Sequence, residues 1–527
     1  MMKKLIPLFY VLSFTIAFGQ NINISNGIVF DGEPYLEINP NNSQHIVVAW
    51  MGWVNISNRF QIKTKTSFDG GQTWSPLNTL PHTVANYSSA DPSIDFNTNG
   101  DVFVSYIDFT GTTPPVTGGV YLCKSTDGGL SWDTPNEVIN SSFDGTKWPI
   151  DRPWMVIDKS TGPNQDNIYV TSFNLNRTNP PYNPYLSVSS DNGSSFTTKF
   201  VDTLGWLAGS INPLPICSPT VSSTGVFYAS YPSFVLTQSP FTQSFVAISS
   251  DGGNTLSHKK IITNNPPANL GDFPLAKKGP LIISNPSNSS HLVFVYPSAE
   301  TGDLDVYLTE SFDSGDTWST PLRLNDDPLM NNRMQDLIWA DFDSDGDIVV
   351  SWRDRRNGAN NTYQTETEIW ATYRAHNSSS FEPNFQITNQ MIMHNTDLEE
   401  AGNDFMCIKL QDDILNAAWG DARNGEINIW FQRMNTDGTV LSTNQISSET
   451  IPEVILVPNP THSVVTIEGG SIKKIEIYDT NGKRVRLETY TNSKNTVELN
   501  LNDLAIGTYA IKIQTHKGTY SRKIIKQ

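Results

Sequence analysis

Charge is scarce in this chain, and so are cysteine and helical periodicity. Only 17% of its 527 residues are Asp, Glu, Lys or Arg, and its three cysteines, Cys123, Cys217 and Cys407, stand far apart. Their odd number and wide spacing exclude a disulfide framework or a cysteine metal centre and leave buried thiols. After the first twenty residues no stretch is apolar for the roughly 20 residues that a membrane-spanning helix needs, and no 3.6-residue apolar period persists. Positive charge is short as well, with 35 Lys and Arg against 53 Asp and Glu. So acidic a chain repels phosphate backbones, which excludes nucleic acid as a partner. What is abundant is 35 Gly, 32 Pro and 11% aromatics, the composition of a large all-β protein with many turns.

The one long apolar stretch, Leu5 to Phe18, follows Lys3 and Lys4 and overlaps the small-residue pair Ala17 and Gly19. This pattern predicts a secretory signal over residues 1–19 with cleavage before Gln20, and no Cys follows it to carry a lipid.

Next comes a repeat. SFDGGQTW (Ser67 to Trp74), STDGGLSW (Ser125 to Trp132), SSDNGSSF (Ser189 to Phe196), SSDGGNTL (Ser249 to Leu256) and SFDSGDTW (Ser311 to Trp318) share the pattern S-x-D-x-G-x-x-aromatic, at intervals of 58, 64, 60 and 62 residues. A fixed period marks units that bury their faces only against neighbours. Within each copy the Asp accepts from turn N–H groups, the Gly supplies a positive φ and the aromatic folds back as a plug. Asp69, Asp127, Asp191, Asp251 and Asp313 are therefore structural. Seven apolar runs end in an aromatic, at Trp50, Tyr106, Phe173, Tyr231, Tyr296, Trp352 and Trp419. Two degraded copies, RAHNSSSF (Arg374 to Phe381) and RMNTDGTV (Arg433 to Val440), continue the period. These features predict an all-β, seven-bladed propeller over residues 20–448, with six blades as the alternative.

The repeat resembles the Asp-box, or BNR, repeat of sialidase-like β-propellers, where the box joins the third and fourth strands of a blade at the periphery. Sialidase chemistry, as that resemblance implies it, asks for three Arg around a substrate carboxylate, a Tyr activated by a Glu and an Asp as acid/base. Arg152, Arg333, Arg353, Arg356 and Arg423 are the arginines for such a triad, with Asp91 or Asp151 as the acid. The Arg-Ile-Pro motif that opens most sialidases is absent, Asp151-Arg152-Pro153 being its nearest echo, and no Tyr/Glu pair can be assigned.

In a propeller the segments entering the innermost strands share a face with the loops between second and third strands, and that face is the default ligand site. Here they include Asp91-Pro92, Asp151-Arg152-Pro153-Trp154, Met334-Gln335-Asp336 and Asn403-Asp404. The ligand-binding candidates are Arg152, Trp154, Arg333, Asp336, Arg353, Arg356, Asp404 and Arg423, and Asp91, Asp151 and Arg152 are the candidates for catalysis. WRDRRNG (Trp352 to Gly358) and WGDARNG (Trp419 to Gly425) repeat one spacing, read either as an internal Asp–Arg brace or as an inward arginine clamp for an anion. Trp53, Trp148, Trp154 and Trp206 could stack on sugar rings or pack within blades. In DFDSDGD the spacing of Asp341, Asp343 and Asp345 resembles a calcium loop, although Trp352 stands where the bidentate Glu belongs.

The tail, residues 449–527, is basic, with 11 Lys and Arg against 7 Asp and Glu from Ile451 onward. Alternation in IEIYD and YAIKI, with Asn481-Gly482 as a hairpin turn, predicts a small β-sandwich. VPNP (Val457 to Pro460), IKKIEIYDTNGKRV, LNDLAIGTYAIKI and the final KIIKQ resemble, in order, the type A C-terminal sorting domain of the type IX secretion system. That resemblance implies passage across the outer membrane, then release or surface attachment. The expectation is a secreted or surface-displayed propeller that recognises an extracellular ligand, a glycan, at its channel mouth. An exo-acting sialidase-type hydrolase and a protein-binding scaffold or adhesin are the alternatives.

Overall fold

The structure is a computed structural model that describes residues 21–55, 57–175, 184–202, 216–233, 243–263, 279–395, 403–441, 455–479, 483–515 and 519–527. The signal segment, Trp206 and the 448/449 boundary lie outside them. The chain divides into two compact units, residues 1–442 and 443–527.

The first unit holds seven four-stranded antiparallel sheets and no helix among the described residues. Their innermost strands are Asp31–Ile38, Ser88–Phe96, Ile150–Ile157, Ser218–Val221, Leu281–Ser284, Gln335–Phe342 and Cys407–Gln411. Each packs against the next, and Cys407–Gln411 packs against Asp31–Ile38, so the ring closes at seven blades. Blades 1 to 6 are each a consecutive run of four strands. Blade 7 takes its outermost strand from the other end of the chain, where Ile22 and Asn23 pair with Phe431 and Trp430 of strand Asn428–Asn435. The degraded copy at Arg433 to Val440 therefore leads into no fourth strand; Met434 and Val440 form only an isolated bridge.

Four of the aromatics that end the seven runs share a role. Trp50, Trp352 and Trp419 donate their indole N–H groups to Asp31, Asp354 and Asp421 at 2.8, 2.7 and 3.0 Å, and Tyr231 donates to Asp202 at 2.9 Å. Each buried carboxylate thus receives a donor from the apolar ring that covers it.

All five repeat turns bond alike. Ser67 Oγ accepts the Gly71 N–H at 2.7 Å, and Asp69 accepts from the Ser67 hydroxyl and from the N–H and hydroxyl of Thr73. Ser131, Ser195, Thr255 and Thr317 repeat the part of Thr73, a Ser/Thr that the pattern left as an x. Gly71 sits at φ +86, where a Cβ would meet the Phe431 ring at 2.3 Å. The plug reaches the neighbouring blade: Trp74 lies edge-on to Phe431 of blade 7, and Trp132 donates to Thr64 of blade 1.

The second unit is a five-stranded sheet built on the long strand Val464–Tyr478, which pairs with Ile455–Val457, Arg484–Asn500 and Gly507–Thr515. Val465, Ile467, Ile475, Ile511 and Ile513 share its core.

Candidate functional site

The innermost strands begin with a device that the sequence repeats but that the turn motif conceals. Glu33-Pro34, Asp91-Pro92, Arg152-Pro153, Ser218-Pro219 and Gly279-Pro280 recur at intervals of 58, 61, 66 and 61 residues, and Leu337 and Asn403 continue the series. The strand register slips there between Gly32 and Tyr35, Ala90 and Ser93, Asp151 and Trp154, and Asp336 and Trp339. Glu33, Asp91, Arg152, Leu337 and Asn403 all have φ between 47 and 66°. A bulge with a left-handed residue re-aims side chains, and such strained positions cluster at working sites.

Here the bulges bring five ionisable groups together at the channel mouth. Arg152 of blade 3 reaches Asp404, just before blade 7, at 2.5 Å and lies 4.0 Å from Asp151. Its backbone N–H donates to Asp91 at 3.2 Å, and the Asp404 N–H donates to Glu33 at 3.3 Å. The Asp91 carboxyl is also within hydrogen-bonding reach of both Glu33 and Asp151. Glu33, Asp91 and Arg152 are buried, while the side chains of Asp151 and Asp404 keep 20% and 22% of their surface in solvent. Burial, reinforced by neighbouring carboxylates, raises the pKa of Glu33 and lifts those of Asp91 and Asp151 well above the usual range. Burial alone would lower the pKa of Arg152, but Asp404, Asp151 and Asp91 together raise it. The guanidinium is therefore a fixed charge, and protons are shared among the carboxyls.

Beneath this layer the channel is blocked. Tyr35, Trp154, Trp339 and Phe405, from blades 1, 3, 6 and 7, meet with ring centroids 5.0 to 6.5 Å apart. Trp154, expected to contact ligand, is thus part of the plug and is buried. Below the plug lies a cavity of about 220 Å³ lined by Glu37, Asp95, Asp341, Lys159 and Lys409. Lys409 pairs with Glu37 at 2.8 Å and with Asp341 at 3.5 Å, and Lys159 pairs with Asp95.

Of the sequence-derived candidates, Asp91, Asp151, Arg152 and Asp404 converge. The others are engaged elsewhere. Asp336 is buried between Arg353, which it binds through both oxygens at 2.8 and 2.6 Å, and Arg355 at 3.1 Å. Arg356 pairs with Asp354 and stacks on Trp370; Arg423 pairs with Asp421 and stacks on Trp430. This duplicated geometry is the Asp–Arg brace. Arg333 donates to the Asn360 carbonyl. Only Arg152 of the five arginines takes part in the mouth cluster.

The calcium-loop candidates also separate. Asp341 faces the lower cavity and accepts the Leu410 N–H at 2.9 Å, because it belongs to the innermost strand. Asp343 closes its own turn and gathers instead with Asp347 and Asp413, while Asp345 and Asp347 approach His376. Glu33 was missed because a single Glu-Pro carries no signal alone; its place in the x-Pro series is what reveals it. The three cysteines are free and buried.

A cyclic all-β scaffold of seven four-stranded sheets is a seven-bladed propeller, here with an acidic, bulge-built mouth. Residues 456–527 match the secretion system C-terminal sorting domain. The chain is therefore exported through the type IX secretion system, to the cell surface or beyond it. No curated protein matches the chain. Among solved structures, a protein of unknown function from Dyadobacter fermentans is 18% identical over 63% of this chain and 94% of its own, with a TM-score of 0.39. The Hadza microbial sialidase Hz136 is 12% identical over 80% and 69%, with a TM-score of 0.41. The Penicillium chrysogenum α-L-arabinanase solved with arabinobiose is 14% identical over 80% and 99%, with a TM-score of 0.41. Identities this low carry no activity from one chain to another.

Proposed function

We propose that the propeller recognises an extracellular glycan at its channel mouth and does not cleave it. The observation that carries this reading is the contact among the mouth carboxyls. In most glycoside hydrolase families, retaining or inverting, the two working carboxyls stand roughly 5 to 9.5 Å apart with the sugar between them. Asp91 instead bonds Glu33 on one side and Asp151 on the other. Carboxyls in contact accept hydroxyl donors from a sugar well, but a contacting pair cannot flank a sugar as an acid and its partner do. Sialic acid recognition is also disfavoured, since Arg152 is already paired with Asp404 and four carboxyls would face an anionic substrate.

The test is an array of glycans probed with the full-length protein, followed by incubation of each bound glycan and analysis of the products. Selective binding without cleavage is expected. Release of monosaccharide that is lost in Asp91→Asn would overturn the non-hydrolytic reading.

One observation favours a second reading, a protein surface as ligand. Every described connection into an innermost strand exposes a large apolar side chain, among them Ile28, Val84, Phe143, Met330 and Met393. Exposed apolar groups concentrated on one face mark protein contacts. A blank array together with capture of a protein by the immobilised chain would move the assignment there.

A further inference from the structure

Among the described residues the mouth holds more carboxyls than its one cation can balance if they ionise. Glu33, Asp91, Asp151 and Asp404 surround Arg152, whose guanidinium is already spent on Asp404 at 2.5 Å. Glu33 is 2% exposed, and its Oε2 atom is buried with no hydrogen-bond partner among the described residues other than the Asp91 carboxyl. The floor below is aromatic, and Trp154, 2% exposed, leaves its indole N–H without a partner among the described residues. Carboxylates and aromatic faces both attract cations. Asp151 and Asp404 are the two partly exposed acids of the cluster.

We propose that the glycan unit seated in this mouth carries a free ammonium group, that is, an amino sugar that is not N-acylated. The inference rests on the glycan reading above and names the class of sugar. An ammonium among these carboxyls supplies the missing positive charge, while ring hydroxyls donate to the oxygens that remain. A lysine side chain would bring the same charge but only three donors to carboxyls on opposite sides of the channel, which favours the sugar. N-acylation removes the charge and one or two of the donors. An acidic sugar would add a fifth acid to the four already crowded there. Because the mouth carboxyls hold protons among themselves, an entering ammonium lets them ionise, so binding releases protons to the buffer.

The experiment is titration calorimetry of the full-length protein with glucosamine oligomers, the N-acetylated oligomers of equal length, a neutral glucose oligomer and a lysine-rich peptide, each in two buffers of different ionisation enthalpy. The free-amine oligomer is expected to bind at least tenfold more tightly than its N-acetylated form, with proton release. Asp151→Asn is expected to weaken the amine oligomer at least tenfold and to reduce the proton release that accompanies its binding. Equal affinity for the free and acetylated forms, or preference for the neutral oligomer, overturns the ammonium inference and leaves the glycan reading standing. Binding of the peptide but of no sugar, or of nothing by protein that melts normally, removes both. Should Asp151→Asn fail to fold, the comparison of free and acetylated oligomers on the natural protein decides alone.

Discussion

Arg152 and Asp404 meet at 2.5 Å across the channel, joining blade 3 to blade 7 through residues 252 positions apart in sequence. The pair closes the ring from inside, as the strand Ile22–Asn23 closes it from outside. Breaking a buried ion pair by removing one partner costs about 3–5 kcal/mol, because the other charge is left stranded. Arg152→Leu is expected to lower the unfolding free energy by about that amount, since three further acids lose the same counter-charge. Arg152→Leu combined with Asp404→Leu should recover part of the loss. Urea denaturation of the three proteins measures it, and a single variant as stable as wild type would show the pair to be idle.

Asp91 gives the mouth a pH dependence of definite sign. Its folded pKa is raised, first by burial and then by Glu33, so the folded state keeps a proton that the unfolded chain gives up near pH 4. The associated stability is complete below that pH and is lost as pH rises through the folded pKa. Asp91→Asn removes the titration while keeping an oxygen to accept the Arg152 N–H. The melting temperature of the variant, relative to wild type, should therefore climb steadily from pH 4 to pH 8. A difference that is flat with pH would mean that Asp91 is already ionised at the bottom of that range.

The ring itself was legible because its signals are local. An Asp, a Gly and an aromatic within eight residues announce four of the five turns, with Leu256 in the aromatic's place in the other, and each apolar run carries its aromatic at a fixed end. Asp69 and its four counterparts sit where the pattern puts them, at turns between third and fourth strands. What failed was whatever depends on distant parts of the chain meeting. Ile22 and Asn23 form a two-residue strand with no period of their own, so the source of blade 7's outer strand could not be read. For Arg356 and Arg423 the sequence left a brace and an inward clamp both open, because Trp370 and Trp430, on which they stack, come 14 and 7 residues later on another strand. Asp341 and Asp343 share a motif, yet the strand ends at Phe342, so Asp341 faces the channel while Asp343 opens the turn.

The N-terminal strand yields a sharp test of closure. Beyond its ladder with Asn428–Asn435, Asn21 donates to Gln432 at 2.6 Å and accepts the Asn389 N–H at 2.9 Å, tying three segments together. Deleting residues 21–26 leaves the edge of blade 7 unpaired and uncovers Ile429 and Phe431, both buried in the intact ring. Because a propeller is stabilised by neighbour contacts around a cycle, opening it should weaken every blade. The expected result is a large fall in melting temperature together with rapid proteolysis. Unchanged protease resistance would mean that the strand decorates the ring without closing it.

On the lower face, Asp343 provides a contrast to the mouth in a more open setting. Its pKa is raised to about 7, by burial first and then by the hydrogen-bonded Asp345 carboxyl, with Asp347 adding repulsion. Hydrogen bonds to Asp347 hold His376 above its ordinary value. Both groups keep protons when folded that the unfolded chain releases at lower pH, so both contributions are lost as pH rises: that of Asp343 through about 7, and that of His376 through its own raised pKa. Asp345→Asn removes the repelling partner and lets Asp343 ionise nearer its ordinary pH. The variant should therefore be more stable than wild type at pH 8 and indistinguishable from it at pH 4, with the gap opening around neutrality. The measurement is thermal unfolding against pH in the presence of a chelator, so that no divalent cation supplies the missing positive charge. Repeating it with calcium then separates the two possible roles of the cluster. A wild-type protein that gains stability at pH 8 in calcium, to the level of the variant, holds an ion between these carboxylates; one that does not change relies on the proton alone.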